Sequence, residues 1–200
     1  MRRIRSILSA LAALLPLAHL AQARAIEVQV SARALERTLK AQLFNAPEGR
    51  YYLRGNPHSS CFVYADDPHV SFDNERIVVH VHTRSRIGTP LHGICLGVTL
   101  STAAEVSLLP QAEEKTIGFR DARLEHLSES RQLNFILAPF LSHKLPSEMK
   151  LDAATVIAQL LNRSNDSTGY NLALDSLKLH SLLVEGQSLN LDLDATVHVD

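Results

Sequence analysis

Six aliphatic side chains occupy every second position near the C-terminus of this 200-residue chain: Leu189, Leu191, Leu193, Ala195, Val197 and Val199. Asn190, Asp192, Asp194, Thr196, His198 and Asp200 fill the gaps. Successive residues of a strand point to opposite faces, so this segment has one apolar side and one polar side. A half-buried antiparallel strand satisfies that pattern. Ile77 to Ile87 repeats it. Ile77, Val79, Val81, Thr83, Ser85 and Ile87 share one face, and Val78, His80, His82, Arg84 and Arg86 share the other. Such a strand reaches about 35 Å at about 3.3 Å per residue, which is long for a small domain. Long strands with one aliphatic face twist, and they curl around something apolar to bury it.

Two helical segments supply that partner. Ser31 is placed to cap a helix on which Leu35, Leu39 and Leu43 recur every fourth residue, with Arg33, Glu36, Arg37 and Lys40 on the wet side. Pro47 and Gly49 end it. Leu133 to Leu145 is more apolar, with Pro139 set to bend it and Pro146 to stop it. A further helical piece, with Asp152 as its cap, carries Val156, Ile157, Leu160 and Leu161, and a polar loop over 162–169 follows. These elements predict an α+β fold. A long, strongly curved antiparallel β-sheet wraps around a long helix in the C-terminal half, with a short N-terminal helix.

The beginning of the chain reads as an address. Three arginines lie within residues 1–5, an Ile/Leu/Ala-rich run spans Ile7 to Leu20, and Ala21-Gln22-Ala23 and Ala23-Arg24-Ala25 fit small-residue cleavage sites. This is the pattern of a secretory signal peptide, and the run is too short for an ordinary membrane span. Residues 1–25 are therefore expected to be removed, leaving 26–200 as one domain in the periplasm or medium. No cysteine near the cleavage site offers a lipid anchor, and no membrane span is expected in the mature chain. Removal would take four of the 20 basic residues and none of the 21 acids, leaving a net charge of −5. A mildly acidic chain without a basic stripe is a poor nucleic-acid ligand, and it lacks the cationic face of a tight binder of anionic lipid. Cys61 and Cys95 are the two cysteines, and in an oxidising compartment an isolated pair forms a disulfide.

Motifs for chemistry are weak. His80 and His82 share a strand face, but no third ligand stands at diagnostic spacing, so no metal and no other cofactor is expected. Asp192, Asp194 and Asp200 alternate as a charged, solvated edge would. There is no G-x-S-x-G elbow and no phosphate-binding glycine loop. The chain is not read as an enzyme.

The arrangement of apolar surface is the informative feature. A helix lying lengthwise in a curled sheet fills it in part, and the remaining slot is an elongated apolar ligand site. The candidate lining is Leu35, Leu39, Leu43, Val79, Val81, Phe135, Phe140, Leu191 and Leu193. The same residues also suit a closed core. In that alternative the protein is a cell-envelope interaction module that binds another protein through the His80–Arg86 face or a free strand edge.

Val30-Ser31-Ala32-Arg33-Ala34-Leu35-Glu36-Arg37-Thr38-Leu39 resembles the opening of small bacterial TULIP (tubular lipid-binding) proteins of the YceB-like periplasmic type. Leu177-Lys178-Leu179, Val184-Glu185-Gly186-Gln187-Ser188-Leu189, then Leu191 and Leu193, resemble their closing hydrophobic–turn–hydrophobic signature. The resemblance implies a curved sheet around a long helix that binds acyl chains or another elongated apolar molecule, without catalysis. Two features depart from the pattern: the lipidated cysteine is missing, and the Cys61–Cys95 pair is additional.

Overall fold

The computed structural model describes residues 26–199. The leader expected at 1–25 lies outside them. In chain order the elements are β1 (Ile26–Ser31), α1 (Ala32–Gln42), β2 (Tyr51–Arg54), β3 (Phe62–Asp73), β4 (Arg76–Leu91), β5 (Ile94–Glu113) and β6 (Thr116–His126). Then follow α2 (Arg131–Pro139), a π-helical turn (Phe140–Lys144), α3 (Leu145–Glu148), β7 (Leu151–Asp152), α4 (Ala153–Thr168), β8 (Leu172–Glu185) and β9 (Ser188–Val199). The strands form two antiparallel sheets, β1-β9-β8 and β2-β3-β4-β5-β6-β7. The sequence predicted one continuous sheet; the structure divides it. The larger sheet is a meander that curls strongly into a half-barrel. Register shifts at Asp66/His69 in β3 and at Ser107/Leu109 in β5 increase the local twist that produces the curl.

β4 shows how alternation becomes burial. Ile77, Val79, Thr83 and Ser85 are fully buried and Val81 nearly so, while Arg84 and Arg86 on the opposite face are exposed. The two buried hydroxyls are satisfied: Thr83 Oγ1 donates to Thr102 O at 2.9 Å and Ser85 Oγ to Leu100 O at 3.4 Å. In β9, Leu189, Leu191 and Leu193 are buried, but Val197 and Val199 emerge into solvent. The alternation holds along the whole strand; the covering layer does not extend over its end.

α1 begins where Ser31 Oγ accepts from the Ala34 N–H at 3.3 Å, and Leu35 and Leu39 face inward. A second tie fastens it to β3: Glu36 Oε2 lies 3.3 Å from His69 Nδ1 and accepts from the Val70 N–H. Burial pushes the Glu36 carboxyl up, but hydrogen bonds from Lys40 and His69 outweigh it and hold the group below its ordinary value.

The expectation of a long helix in the C-terminal half is corrected. Arg131–Glu148 is 18 residues in three pieces. Ser130 caps its start: its Oγ accepts from the Leu133 N–H at 3.4 Å and donates to Gln132 Oε1 at 3.1 Å. Pro139 cannot donate to the carbonyl one turn back, and the π-helical turn immediately after it absorbs the lost bond. Pro146 does not end the helix as predicted; it sits in the first turn of α3, where its missing N–H costs nothing. The chain then leaves to pair Leu151 with Ile117. Asp152 caps α4 as predicted, accepting from the Thr155 N–H at 3.0 Å, but α4 continues to Thr168 through the stretch expected to be a loop.

One apolar cluster joins both sheets and the helices. It contains Leu35 and Leu39 from α1, Leu133, Leu137 and Leu141 from the kinked helix, Val79 and Val106 from the large sheet, and Leu179 and Leu191 from the small one. Cys61 and Cys95 form the expected disulfide across a separation of 34 residues. Among the described residues, no helix is long and apolar enough to cross a membrane.

Candidate functional site

β2 is the last strand of the six-stranded order, so among the described residues one of its edges has no strand neighbour. It is only four residues long because Gly55, in left-handed geometry at φ 77°, turns the chain away. α2 faces the β2 side of the sheet, and the space between them holds two adjoining clefts. The first, about 580 Å³, is lined by Leu53, Arg54, Ile87, Arg131, Gln132, Phe135 and Ile136. The second, about 320 Å³, is lined by Tyr51, Tyr52, Leu53, Ile136, Pro139, Phe140 and Lys144. Leu53 and Ile136 belong to both, so the clefts run end to end as one groove.

The helix explains why the groove is apolar. Leu133, Leu137 and Leu141, four residues apart, form its core stripe and are fully buried. Gln132, Phe135, Ile136 and Pro139 form a second stripe at three- and four-residue spacing, turned toward β2. Phe135 on that stripe is 84% exposed. The helix therefore carries more apolar surface than its core contact uses.

The far end of the groove is built by stacked rings. Tyr51 lies against Phe140 with centroids 4.8 Å apart, and Phe44 packs on Tyr51 at 6.2 Å. Lys144 Nζ sits 5.9 Å from the Tyr51 ring centre and 2.9 Å from Glu148 Oε1. The bond to Glu148, then that to Tyr51, raises the Lys144 ammonium above its ordinary value. Arg54 and Arg131 stand at the other end. The lining thus combines aliphatic and aromatic surface, two tyrosines and a cation at each end, and it includes no carboxylate, thiol or imidazole.

The residues predicted from sequence are brought together only in part. Leu35, Leu39, Leu43, Val79, Val81, Phe140, Leu191 and Leu193 all lie buried in the common core. Of these, Phe140 also borders the groove, and Phe135 is the predicted residue that lies open on it. Leu53, Ile87, Ile136, Arg54 and Arg131 were not foreseen. The second stripe on α2 was a usable signal. The meeting of Arg54 with Arg131 left none, because the fold brings together positions 77 residues apart.

The histidines of the sheet are engaged locally. His82 Nδ1 is 2.9 Å from Asp66 Oδ1 and its Nε2 2.8 Å from Ser101 Oγ; His80 Nε2 is 3.0 Å from Ser71 Oγ. Among the described residues, no group of three His, Cys, Asp or Glu side chains is arranged to hold a metal ion.

No known protein-family model matches the chain, and no curated protein matches it. A crystal structure of lipopolysaccharide binding protein is similar at a TM-score of 0.31 and 9% identity, over 86% of this chain and 50% of that one. The chain thus spans about half the length of that protein. A likeness this distant decides neither the fold nor the ligand.

Proposed function

We propose that this protein binds an elongated apolar molecule with an anionic end, of the fatty-acyl class, in the groove between β2 and α2, and performs no chemistry on it. The observation that carries the reading is the second apolar stripe of α2. Phe135 stands open beside the partly buried Leu53 and Ile136. Surface of that kind is stabilised when a ligand covers it, at about 25 cal/mol per Å². Arg54 and Arg131 at one end, or Lys144 at the other, would pair with a carboxylate or phosphate. The buried predicted residues then form the wall behind the groove.

The resemblance to TULIP proteins supports the same reading, with the 18-residue kinked helix serving as a shortened spine for the curled sheet. The basic and apolar leader and the Cys61–Cys95 bond both suit a protein that works in the periplasm or outside the cell. Native mass spectrometry of protein purified from cells, with uptake of a fluorescent fatty acid, tests the proposal. Co-purifying lipid and saturable uptake are expected. Failure of both would end the lipid reading.

The unpaired edge of β2 favours one rival. An extended peptide could add to that edge and place alternate apolar side chains in the groove, which would make the protein an envelope interaction module. A bound peptide mass in place of lipid would establish that alternative.

A further inference from the structure

The β4–β5 hairpin ends in a two-residue turn, His92–Gly93, in which both residues have positive φ, 47° and 81°. This is the type I′ geometry that matches strand twist. Tips of this kind are ordinarily polar. Here Leu91, Ile94, Leu96 and Val98 are 49%, 63%, 57% and 58% exposed. Cross-strand partners share a face, so the pairs Leu91–Ile94, Thr89–Leu96 and Ile87–Val98 place all four on one side of the ribbon. Ile87 also lines the groove, so this surface continues from the groove mouth.

The other side of the ribbon is built to hold the tip still. Gly88 opposes Gly97 so closely that a Cβ on Gly88 would stand 2.1 Å from the Leu96 carbonyl oxygen, and one on Gly97 2.0 Å from that of Ile87. No side chain fits at either position. Just beyond them Cys95 is bonded to Cys61, which anchors the tip to the loop after β2. A restrained hairpin with four exposed aliphatic side chains presents an apolar patch on the order of a few hundred Å², the size that marks interaction surfaces.

Charge identifies the partner. Residues 84–104 contain no acid, and neither do residues 49–65. Exposed Arg84 and Arg86 flank the hairpin on one side, and exposed Arg54 and Arg131 stand at the groove on the other. Glu129 is the acid in the loop that leads to α2. The turn lies no more than about 20 Å beyond Arg86 at about 3.3 Å per residue. Aliphatic side chains in front of a cationic collar match the layering of a bilayer leaflet, with acyl chains inside and anionic headgroups outside. The sequence concealed this because the four arginines sit in three separate segments of a chain that is acidic overall.

We propose that the β4–β5 hairpin tip docks this protein onto a lipid surface bearing anionic headgroups, with Leu91, Ile94 and Leu96 entering the apolar layer. The proposal does not depend on what the groove binds. The test is flotation of the purified protein with phosphatidylcholine vesicles, with and without phosphatidylglycerol. Binding is expected to the anionic vesicles and to weaken with salt. An Ile94→Ser/Leu96→Ser variant should bind roughly tenfold or more weakly, with unchanged melting and unchanged fatty-acid uptake. The chain has no tryptophan, so Ile94→Trp places a single reporter in the tip. Its emission should shift to the blue on anionic vesicles. Wild-type protein that does not float, or a double variant that floats equally well, overturns the proposal. So does a tryptophan whose emission is unmoved on binding, or sedimentation showing a dimer that the double variant dissolves, since the tip would then meet a second copy of the chain.

Discussion

Replacing Phe135 by serine separates a ligand-facing side chain from a structural one. Phe135 is 84% exposed and lies on the groove stripe of α2. An aromatic side chain offers roughly 150–250 Å², and a ligand against one ring face covers about half of it, or roughly 100 Å². At about 25 cal/mol per Å² this contact is worth about 2.5 kcal/mol, or roughly sixtyfold in Kd. Folding should hardly notice the change, because phenylalanine and serine have similar helix propensity and exposed substitutions stay within about 0.5 kcal/mol. Titration with a fluorescent fatty acid reads the affinity, and urea unfolding reads the stability. Equal affinity in wild type and variant would refute the groove assignment. A fall in affinity matched by an equal loss of stability would show that Phe135 supports the fold instead.

Leu39, fully buried in α1, should cost about 2–5 kcal/mol on change to alanine, read as a lower urea midpoint; a smaller loss would mean that α1 packs loosely. Cys61→Ala/Cys95→Ala removes a closure of 34 residues and should lower stability by about 4 kcal/mol on the chain-entropy account, while an unchanged midpoint would place the tip's order in the strands alone. Glu36 is held below its ordinary value of 4.5, so its contribution is complete above that pH and is lost as pH falls through the folded value. Glu36→Gln should therefore be less stable than wild type above about pH 4.5, with the gap closing in acid; a gap of constant size would remove Glu36 from the acid response.

Much of this fold was legible locally. Period-two alternation located β4 and β9 and assigned their faces, because a strand has two sides and one of them meets the core. Ser31 and Asp152 announced helix starts, since each offers an oxygen where backbone N–H groups lack partners. The kinked helix was read less well. Pro139 was expected to bend it, and a π-helical turn follows that residue; Pro146 was expected to stop it, but it takes a first-turn position that accommodates it. The candidate lining drawn from sequence collected core residues, because burial against protein and burial against ligand select the same aliphatic side chains.

The chain alone determined which faces are apolar, where α1 and α4 begin and which cysteines pair, since these follow from side-chain period, capping chemistry and a count of two. Tertiary structure decided which apolar faces remain uncovered. Among the described residues it left β2 without a strand neighbour on one edge, turned the second stripe of α2 toward that edge, and gathered Arg54, Arg84, Arg86 and Arg131 at one end. Exposure depends on what packs opposite a residue, and that partner comes from a distant part of the chain, so no local pattern encodes it.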